Sequence, residues 1–446
     1  MTYDEAIDYI FGLLTGRPRG VPQYAPLKLE RMRHLCRLLG HPERQFPAVL
    51  VAGTKGKGST CAMIAAMAQA AGYRVGLYTK PHLVDFRERI RVDGEMIPPD
   101  DLAALTGEVR DAVIRGQGGP GWPPTYFEVA AALAFCHFAR RAVDLAVVEV
   151  GIGGRLDAAN VVEPRVSVIT TIDYDHAELV GTTLRQIAME DAGIIRPRGR
   201  VVTATQRVPA LEVLEQTSAV RGARLIRVGR HIRYRTERSS PAGVHVTVWG
   251  ERQVYRDLFV PLVGRHQALN AAVAVGAVEA LAAAGFAVAE AAVRSGLASL
   301  RWPARIEIVR HRPTVIVDVA HNPVSFRALR AALDETFPGQ RVVLVIGLLG
   351  SRDLDGMARI IGPRAATVVA TRAHDPRAQP ASAVAAAFRP WCAAVEVVED
   401  PVNAVEFALR TAAAGDLICV TGSFHVAGPV RDHLLAVPDR GDDRAA

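Results

Sequence analysis

At 446 residues, half of them apolar, the chain is long enough for two or three domains with substantial cores, and no apolar run reaches the length needed to span a bilayer. The formal charge of +7 would suit an anionic ligand, but the arginines are spread along the chain without a basic tract, and aromatic residues are too sparse for a base-stacking platform. Neither a nucleic acid nor a membrane is therefore expected as a partner, and a monomer acting on small molecules is. The start, MTYDEAIDYIFGLL, is acidic and amphipathic rather than a secretory signal, so the expected location is the cytoplasm. The five cysteines, Cys36, Cys61, Cys136, Cys392 and Cys419, contain no CxxC pair and read as small core residues.

Short β-branched runs alternate with Ala- and Leu-rich helical stretches, the pattern of an α/β protein with a mostly parallel sheet. In chain order, Gly16 to Pro26 reads as a loop, then a strand runs from Ala48 to Gly53 and a helix from Thr60 to Ala71. A second Gly/Pro-rich loop, Gly116 to Pro124, precedes a helix over Tyr126 to Arg140 and strands at Val143 to Val150 and Arg165 to Thr171. Short alternating strands from about Val228 to Val260 suggest an antiparallel addition, followed by a helix over His266 to Ala284. A fresh series then begins, with strands at Val315 to Val319, Val342 to Gly347 and Asp416 to Thr421 and helices at Ser325 to Thr336 and Ala381 to Phe388. The expected architecture is a P-loop-type ATPase domain over residues 1–300 and a smaller Rossmann-like α/β domain over 301–446.

The strongest chemical signal is AVLVAGTKGKGSTCAMIAAMAQAAG. A buried strand runs into Gly53-Thr54-Lys55-Gly56-Lys57-Gly58-Ser59-Thr60 and then directly into a helix. Such a turn aims backbone N–H groups and the positive helix end at phosphate, and Lys57 would neutralise the outer phosphates. The spelling departs from GxxxxGK[ST], since Val51 holds the first glycine's place and Gly58 follows the lysine. Further on, Glu149 ends a strand before GIGGRLDAAN and is positioned to hold the magnesium of MgATP. His176, in Thr170-Thr171-Ile172-Asp173-Tyr174-Asp175-His176, could bind metal or orient a phosphate, and Ser59 completes the metal candidates.

Together these segments resemble the folylpolyglutamate synthase and dihydrofolate synthase family, within the Mur ligase superfamily. Other motifs support it: Pro81-His82-Leu83 with Glu88-Arg89-Ile90, Thr125-Tyr126-Phe127-Glu128, His266-Gln267-Ala268-Leu269-Asn270, Asp318-Val319-Ala320-His321-Asn322-Pro323 and Thr421-Gly422-Ser423-Phe424-His425. The resemblance implies that ATP phosphorylates the carboxylate of a folate or pteroate and that the amine of L-glutamate attacks the acyl phosphate. It also implies that Gly56 to Ser59 hold phosphates and that Asn270, Arg305 and Asp318 contact ATP. Thr125, Tyr126, Phe127, Glu128, Leu156, Asp157 and Ala158 would line a pterin pocket, and His321 and Ser423 the glutamate end. ATP and magnesium are the cofactors so implied.

The chain departs from the family's pattern at several places. Lys80 stands where a serine usually joins the magnesium shell, and Asp191 where a lysine is commonly carbamylated. Asp191 would supply a carboxylate directly, and Lys80 would replace a cation or pair with Asp191 or Glu149, unless it turns to solvent and Thr79 offers its hydroxyl. Ala304 replaces the usual glycine before Arg305, and Ser351-Arg352-Asp353 an Asp-Lys-Asp sequence. The reading is a ligase adding L-glutamate to folate, with dihydropteroate use as a second activity. The alternatives are an amide ligase of other substrate and a nucleotide-binding homologue without catalysis.

Overall fold

A computed structural model describes residues 1–15, 29–119, 122–175, 177–350 and 353–436. The chain divides into two compact units. The first comprises Met1–Arg235, Val246–Phe259 and Leu269–Leu300; the second begins at Arg301 and also takes in Thr236–His245 and Val260–Ala268.

The first unit contains α1 (Tyr3–Thr15), α2 (Leu29–Leu38), β1 (Ala48–Ala52), α3 (Lys57–Ala70), β2 (Val75–Tyr78), β3 (Ile90–Val92), β4 (Glu95–Met96), α4 (Pro99–Arg115) and α5 (Tyr126–Arg140). It continues with β5 (Leu145–Glu149), β6 (Pro164–Ile169), α6 (Ala177–Val180), α7 (Leu184–Asp191), β7 (Arg200–Thr203), α8 (Val208–Val220) and β8 (Arg224–Arg227). The sheet order is β4-β3-β2-β5-β1-β6-β7-β8. All neighbours from β2 to β8 in that order are parallel, and β3 and β4 extend one edge antiparallel. β1 and β5 are buried at every position, which is why AVLVA and LAVVE read as continuous apolar runs rather than alternating ones.

The chain leaves β1 towards β2 on one side and later crosses from β5 to β6 on the other. β1 is thus the topological switch, and the crevice at the carboxyl ends of its neighbours is where such sheets take ligands. The glycine turn, Lys80, Glu149 and Thr170 all lie at those ends.

Three strands, β9 (Arg233–Ser240), β10 (Gly243–Trp249) and β11 (Val254–Val260), form a separate sheet. Then come α9 (His266–Ala282) and α10 (Glu290–Ala298). α10 lies hard against α3: a Cβ on Gly296 would stand 2.6 Å from the Ala66 carbonyl oxygen and from the Met67 Cα.

The second unit's elements are β12 (Glu307–His311), β13 (Thr314–Val317), α11 (Pro323–Thr336), β14 (Val342–Ile346), α12 (Leu354–Ile361), β15 (Ala365–Ala370), α13 (Ala381–Phe388), β16 (Val395–Val397), α14 (Pro401–Thr411), β17 (Leu417–Thr421) and α15 (Phe424–Ala436). Its sheet, β12-β13-β17-β14-β15-β16, is parallel except for the edge strand β12. Phe326, Leu344, Phe388 and Cys419 anchor its core.

Several boundaries differ from the sequence reading for local reasons. α3 starts at Lys57 rather than Thr60, because Gly56, at φ +87°, ends the turn one residue earlier. β5 starts at Leu145 because Ala142 is left-handed and the Asp144 carboxylate accepts the Arg74 N–H at 2.8 Å in a turn. α11 begins at Pro323, with Asn322 as its cap accepting the Ser325 N–H, two residues before the predicted start. All five cysteines are buried and unpaired. Among the described residues no helix is long and apolar enough to cross a membrane. His176, Ser351, Arg352 and the whole Gly16 to Pro26 loop lie outside the described residues.

Candidate active site

The glycine turn is held from both sides. Gly53 has φ +122°, and a Cβ there would stand 2.3 Å from Thr170 Oγ1 at the end of β6. Gly56 has φ +87°, and its Cβ would stand 2.3 Å from Asn270 Oδ1 on α9. Both positions demand glycine twice over, for backbone conformation and for space. Thr54 donates its N–H to the Thr171 carbonyl at 2.7 Å, and its hydroxyl donates to the Asp173 carbonyl at 3.0 Å. Lys55 pairs with Asp175 at 2.9 Å. Lys57, the first residue of α3, folds back so that Nζ donates to the Gly53 carbonyl at 2.6 Å. Ser59 and Thr60 are buried in the first helical turn, and Thr60 Oγ1 has no hydrogen-bond partner among the described residues.

Asp191 closes α7 against this turn. Burial lifts its carboxyl to about 7; the Lys57 charge opposes that rise, Glu190 adds to it, and the Gly53 N–H opposes it. The first half of the GIGGRLDAAN turn packs on the same end of α7. A Cβ on Gly154 would stand 2.9 Å from the Glu190 carbonyl, and Arg155 pairs with Glu190 at 2.7 Å.

Lys80 makes neither of the pairings the sequence suggests. Its ammonium does not pair with Asp191 or Glu149, and it does not turn to solvent: the side chain is 8% exposed and Nζ donates to Asp157 Oδ1 at 3.3 Å. What Glu149 Oε2 accepts is the Lys80 backbone N–H, at 2.8 Å. Asp157 draws the lysine because the GIGGRLD turn curls over the strand end. Its oxygens also accept the N–H groups of Gly151 at 3.0 Å and Ala159 at 2.8 Å. Thr79 is buried, its N–H given to the Arg89 carbonyl. Glu149 itself is 4% exposed at the end of β5. Leu156 is half-buried and Ala158 buried beside Asp157.

Thr125 to Glu128 open α5 with a capping box, in which the Thr125 N–H donates to Glu128 Oε2 at 2.5 Å. The other Glu128 oxygen takes Arg31 of α2 at 2.9 Å, with both side chains 6% exposed. Glu128 therefore shapes this region from behind. Tyr126 stacks on Phe11 of α1, with ring centroids 6.0 Å apart and planes at 26°, and the Arg89 guanidinium lies over the Tyr126 ring, 5.4 Å from its centroid. Arg89 also donates to His82 Nδ1 at 2.7 Å. Phe127 is half-buried and meets Tyr126 edge-on. Phe11, Arg31 and the His82–Arg89 contact are absent from the sequence reading. The one signal for Arg31 is its place four residues before Leu35 on the buried face of an amphipathic helix.

In the second unit, Asp318 follows β13 and accepts the N–H groups of Ala320 at 2.7 Å and Ile306 at 3.2 Å. Burial raises its carboxyl, opposed by Arg305. Arg305 lies over the Phe424 ring at 5.4 Å, between Ala304 at φ +54° and Ile306 at φ +52°. The left-handed backbone at Ala304 is the physical reason a glycine would be preferred there. His321 gives its Nδ1–H to the Val319 carbonyl at 2.7 Å, which leaves Nε2 as the other ring nitrogen. Ser423, after β17, is 3% exposed, and its Oγ has no partner among the described residues. His321 and Ser423 thus follow neighbouring strands at one edge of the sheet. Asp353 caps α12 through the Gly356 N–H at 2.8 Å.

A parallel sheet whose switch-point strand feeds a glycine turn, followed by a second parallel α/β unit, is the build of a Mur-type ligase. The Mur ligase middle domain matches residues 111–278 and the Mur ligase glutamate ligase domain matches residues 304–424. The dihydrofolate synthase/folylpolyglutamate synthase of Bacillus subtilis is 34% identical over 412 residues, 91% of this chain and 94% of that protein. The Mycobacterium tuberculosis folylpolyglutamate synthase, solved with ADP and AMPPCP, superposes with a TM-score of 0.87 at 34% identity, covering 98% of this chain and all of that one. E. coli FolC, solved with DHPP and ADP, gives 0.86 at 30% identity over 97% and 98%. The chain belongs to the folylpolyglutamate synthase and dihydrofolate synthase family.

Proposed function

We infer that this chain is an ATP-dependent ligase that joins the amine of L-glutamate to the carboxylate of a folate, and that it also accepts dihydropteroate. The observation that carries the reading is the glycine turn, where Gly53 and Gly56 leave no room for a Cβ and the α3 N-terminus opens at the switch point of the sheet. Relatives of the same fold hold ADP and AMPPCP.

A carboxylate resists attack by an amine until one oxygen becomes a phosphate leaving group. Positioning and electrostatics dominate phosphoryl transfer of this kind. In this chain the N–H groups of residues 56–59 receive the ATP phosphates, and Lys57 neutralises their charge. The oxygen-rich set of Glu149 and Ser59 suits magnesium, which needs few protein ligands when phosphates supply the rest; His176 is the further candidate. When bound, the metal supplies positive charge to the phosphate oxygens. Asn270 fixes the turn by its contact with Gly56, and Arg305 and Asp318 are the further candidates for contact with ATP. Residues 1–300 bind ATP and the pterin acid, the acid against Tyr126, Phe127, Leu156 and Ala158; residues 301–446 bind glutamate through His321 and Ser423.

The test is phosphate release by purified protein with MgATP and L-glutamate, comparing dihydropteroate, tetrahydrofolate and no acid. Acid-dependent release with a product heavier by one glutamyl group is the expected result. Tight ATP binding without acid-dependent turnover would refute the reading.

A further inference from the structure

Lys80 follows β2 by two residues at the carboxyl edge of the first sheet, and its ammonium is nearly sealed from solvent. An ammonium has three donors. Among the described residues Asp157 is its one hydrogen-bond acceptor, with the Tyr78 ring 5.1 Å away on another side. Donors left unmet on so buried a cation carry a heavy desolvation cost unless oxygens of a ligand meet them.

The place is built rather than incidental. Asp157 is fixed by the N–H groups of Gly151 and Ala159, and a Cβ on Gly151 would stand 3.2 Å from Nζ. The ammonium also lies between the two halves of the site. The Lys80 backbone N–H is held by Glu149 at the end of β5, the strand beside β1 and its glycine turn, while its ammonium is held by Asp157 of the GIGGRLD turn. A cation there stands where the phosphate end meets the acid end.

We propose that Lys80 is a catalytic cation of this ligase, its ammonium binding oxygens of the phosphoryl group as that group passes from ATP to the acid's carboxylate. The proposal rests on the ligase reading above. In the step, a carboxylate oxygen bonds to the γ-phosphorus while the bond from that phosphorus to the β–γ bridging oxygen breaks, and ADP leaves with the electron pair. Lys80 keeps its protons throughout. The glutamate nitrogen then bonds to the acyl carbon, phosphate departs with the C–O pair, and the amine's surplus proton passes to water. A fixed cation needs no reorganisation as charge shifts, which is where such a group contributes most. Asp157 is its positioning residue.

The competing account makes Lys80 only the counter-ion of Asp157. Lys80→Met leaves a buried carboxylate unpaired, so the double variant Lys80→Met/Asp157→Asn, which removes both charges, keeps the test independent of folding. Thermal unfolding, MgADP affinity, binding of orthovanadate with MgADP and acid-dependent phosphate release are measured on each. The double variant is expected to stay folded and bind MgADP within about threefold of the wild type. It should bind vanadate roughly thirtyfold more weakly and release phosphate roughly a hundredfold more slowly. A folded double variant that binds vanadate like the wild type overturns the proposal, as does a wild type that binds none. If the wild type releases no phosphate with any pterin acid while its vanadate binding still depends on Lys80, the acid assignment falls and the cation role stands.

Discussion

Replacing Gly56 by alanine separates two reasons for a glycine. A Cβ at φ +87° carries the left-handed penalty of about 1–2 kcal/mol that any L side chain pays there. At this site it would also stand 2.3 Å from Asn270 Oδ1 and 3.2 Å from Asn270 Cγ, so the amide must move. Overpacking of that kind adds about 1–3 kcal/mol. Gly72 is the control, because it has φ +92° and nothing within 4 Å of its Cβ position. Gly72→Ala should therefore lose only the conformational part, and Gly56→Ala about 2–5 kcal/mol in all. Urea denaturation monitored by fluorescence and ADP binding by calorimetry measure both. Asn270→Ala in the Gly56→Ala background removes the obstruction, so the double variant should be less destabilised than the sum of the single ones. If Gly56→Ala costs no more than Gly72→Ala and binds ADP normally, the close approach of Asn270 to the turn plays no part in either.

Three further outcomes follow from the same contacts. The Asp191 carboxyl ionises at about 7 in the fold against 3.8 when unfolded, so the unfolded chain loses its proton first. The stability of the wild type relative to Asp191→Asn should be greatest below about pH 4, fall by a few kcal/mol as pH rises to about 7, and stay level above it, as denaturation across that range would show. Arg31→Met strands the buried Glu128 carboxylate and should cost about 3–5 kcal/mol in chemical denaturation, whereas an added Glu128→Gln should recover part of it. Ala304→Gly relieves a left-handed backbone at the cost of a buried methyl and should raise stability by up to about 1 kcal/mol; a clear fall in melting temperature would contradict the strain.

Features set by neighbouring residues were legible in the chain itself. A buried strand, glycines and a small-residue helix in succession define the phosphate turn, and the glutamate that closes VVE marks a strand end. Paired positions were less so. From sequence Asp157 reads as a pocket residue and Lys80 as a replacement cation or a partner of Glu149 or Asp191; the pairing of Asp157 with Lys80 is not legible, because nothing in the order of residues says that the GIGGRLD turn folds back over the end of β2. The family pattern places Glu128 in the pocket lining, but the cap at Thr125 and the distant Arg31 take its oxygens.

The sequence by itself determined the α/β class, the family and the location of the phosphate turn, since apolar periodicity and turn chemistry act over a few residues. Only the tertiary structure decided that Gly56 meets Asn270, that Asp191 is buried against Gly53 of the turn and that Lys80 is buried against Asp157. Those contacts join segments tens to hundreds of residues apart. Their partners are chosen by strand order and by how each loop crosses the sheet edge, which no local pattern encodes.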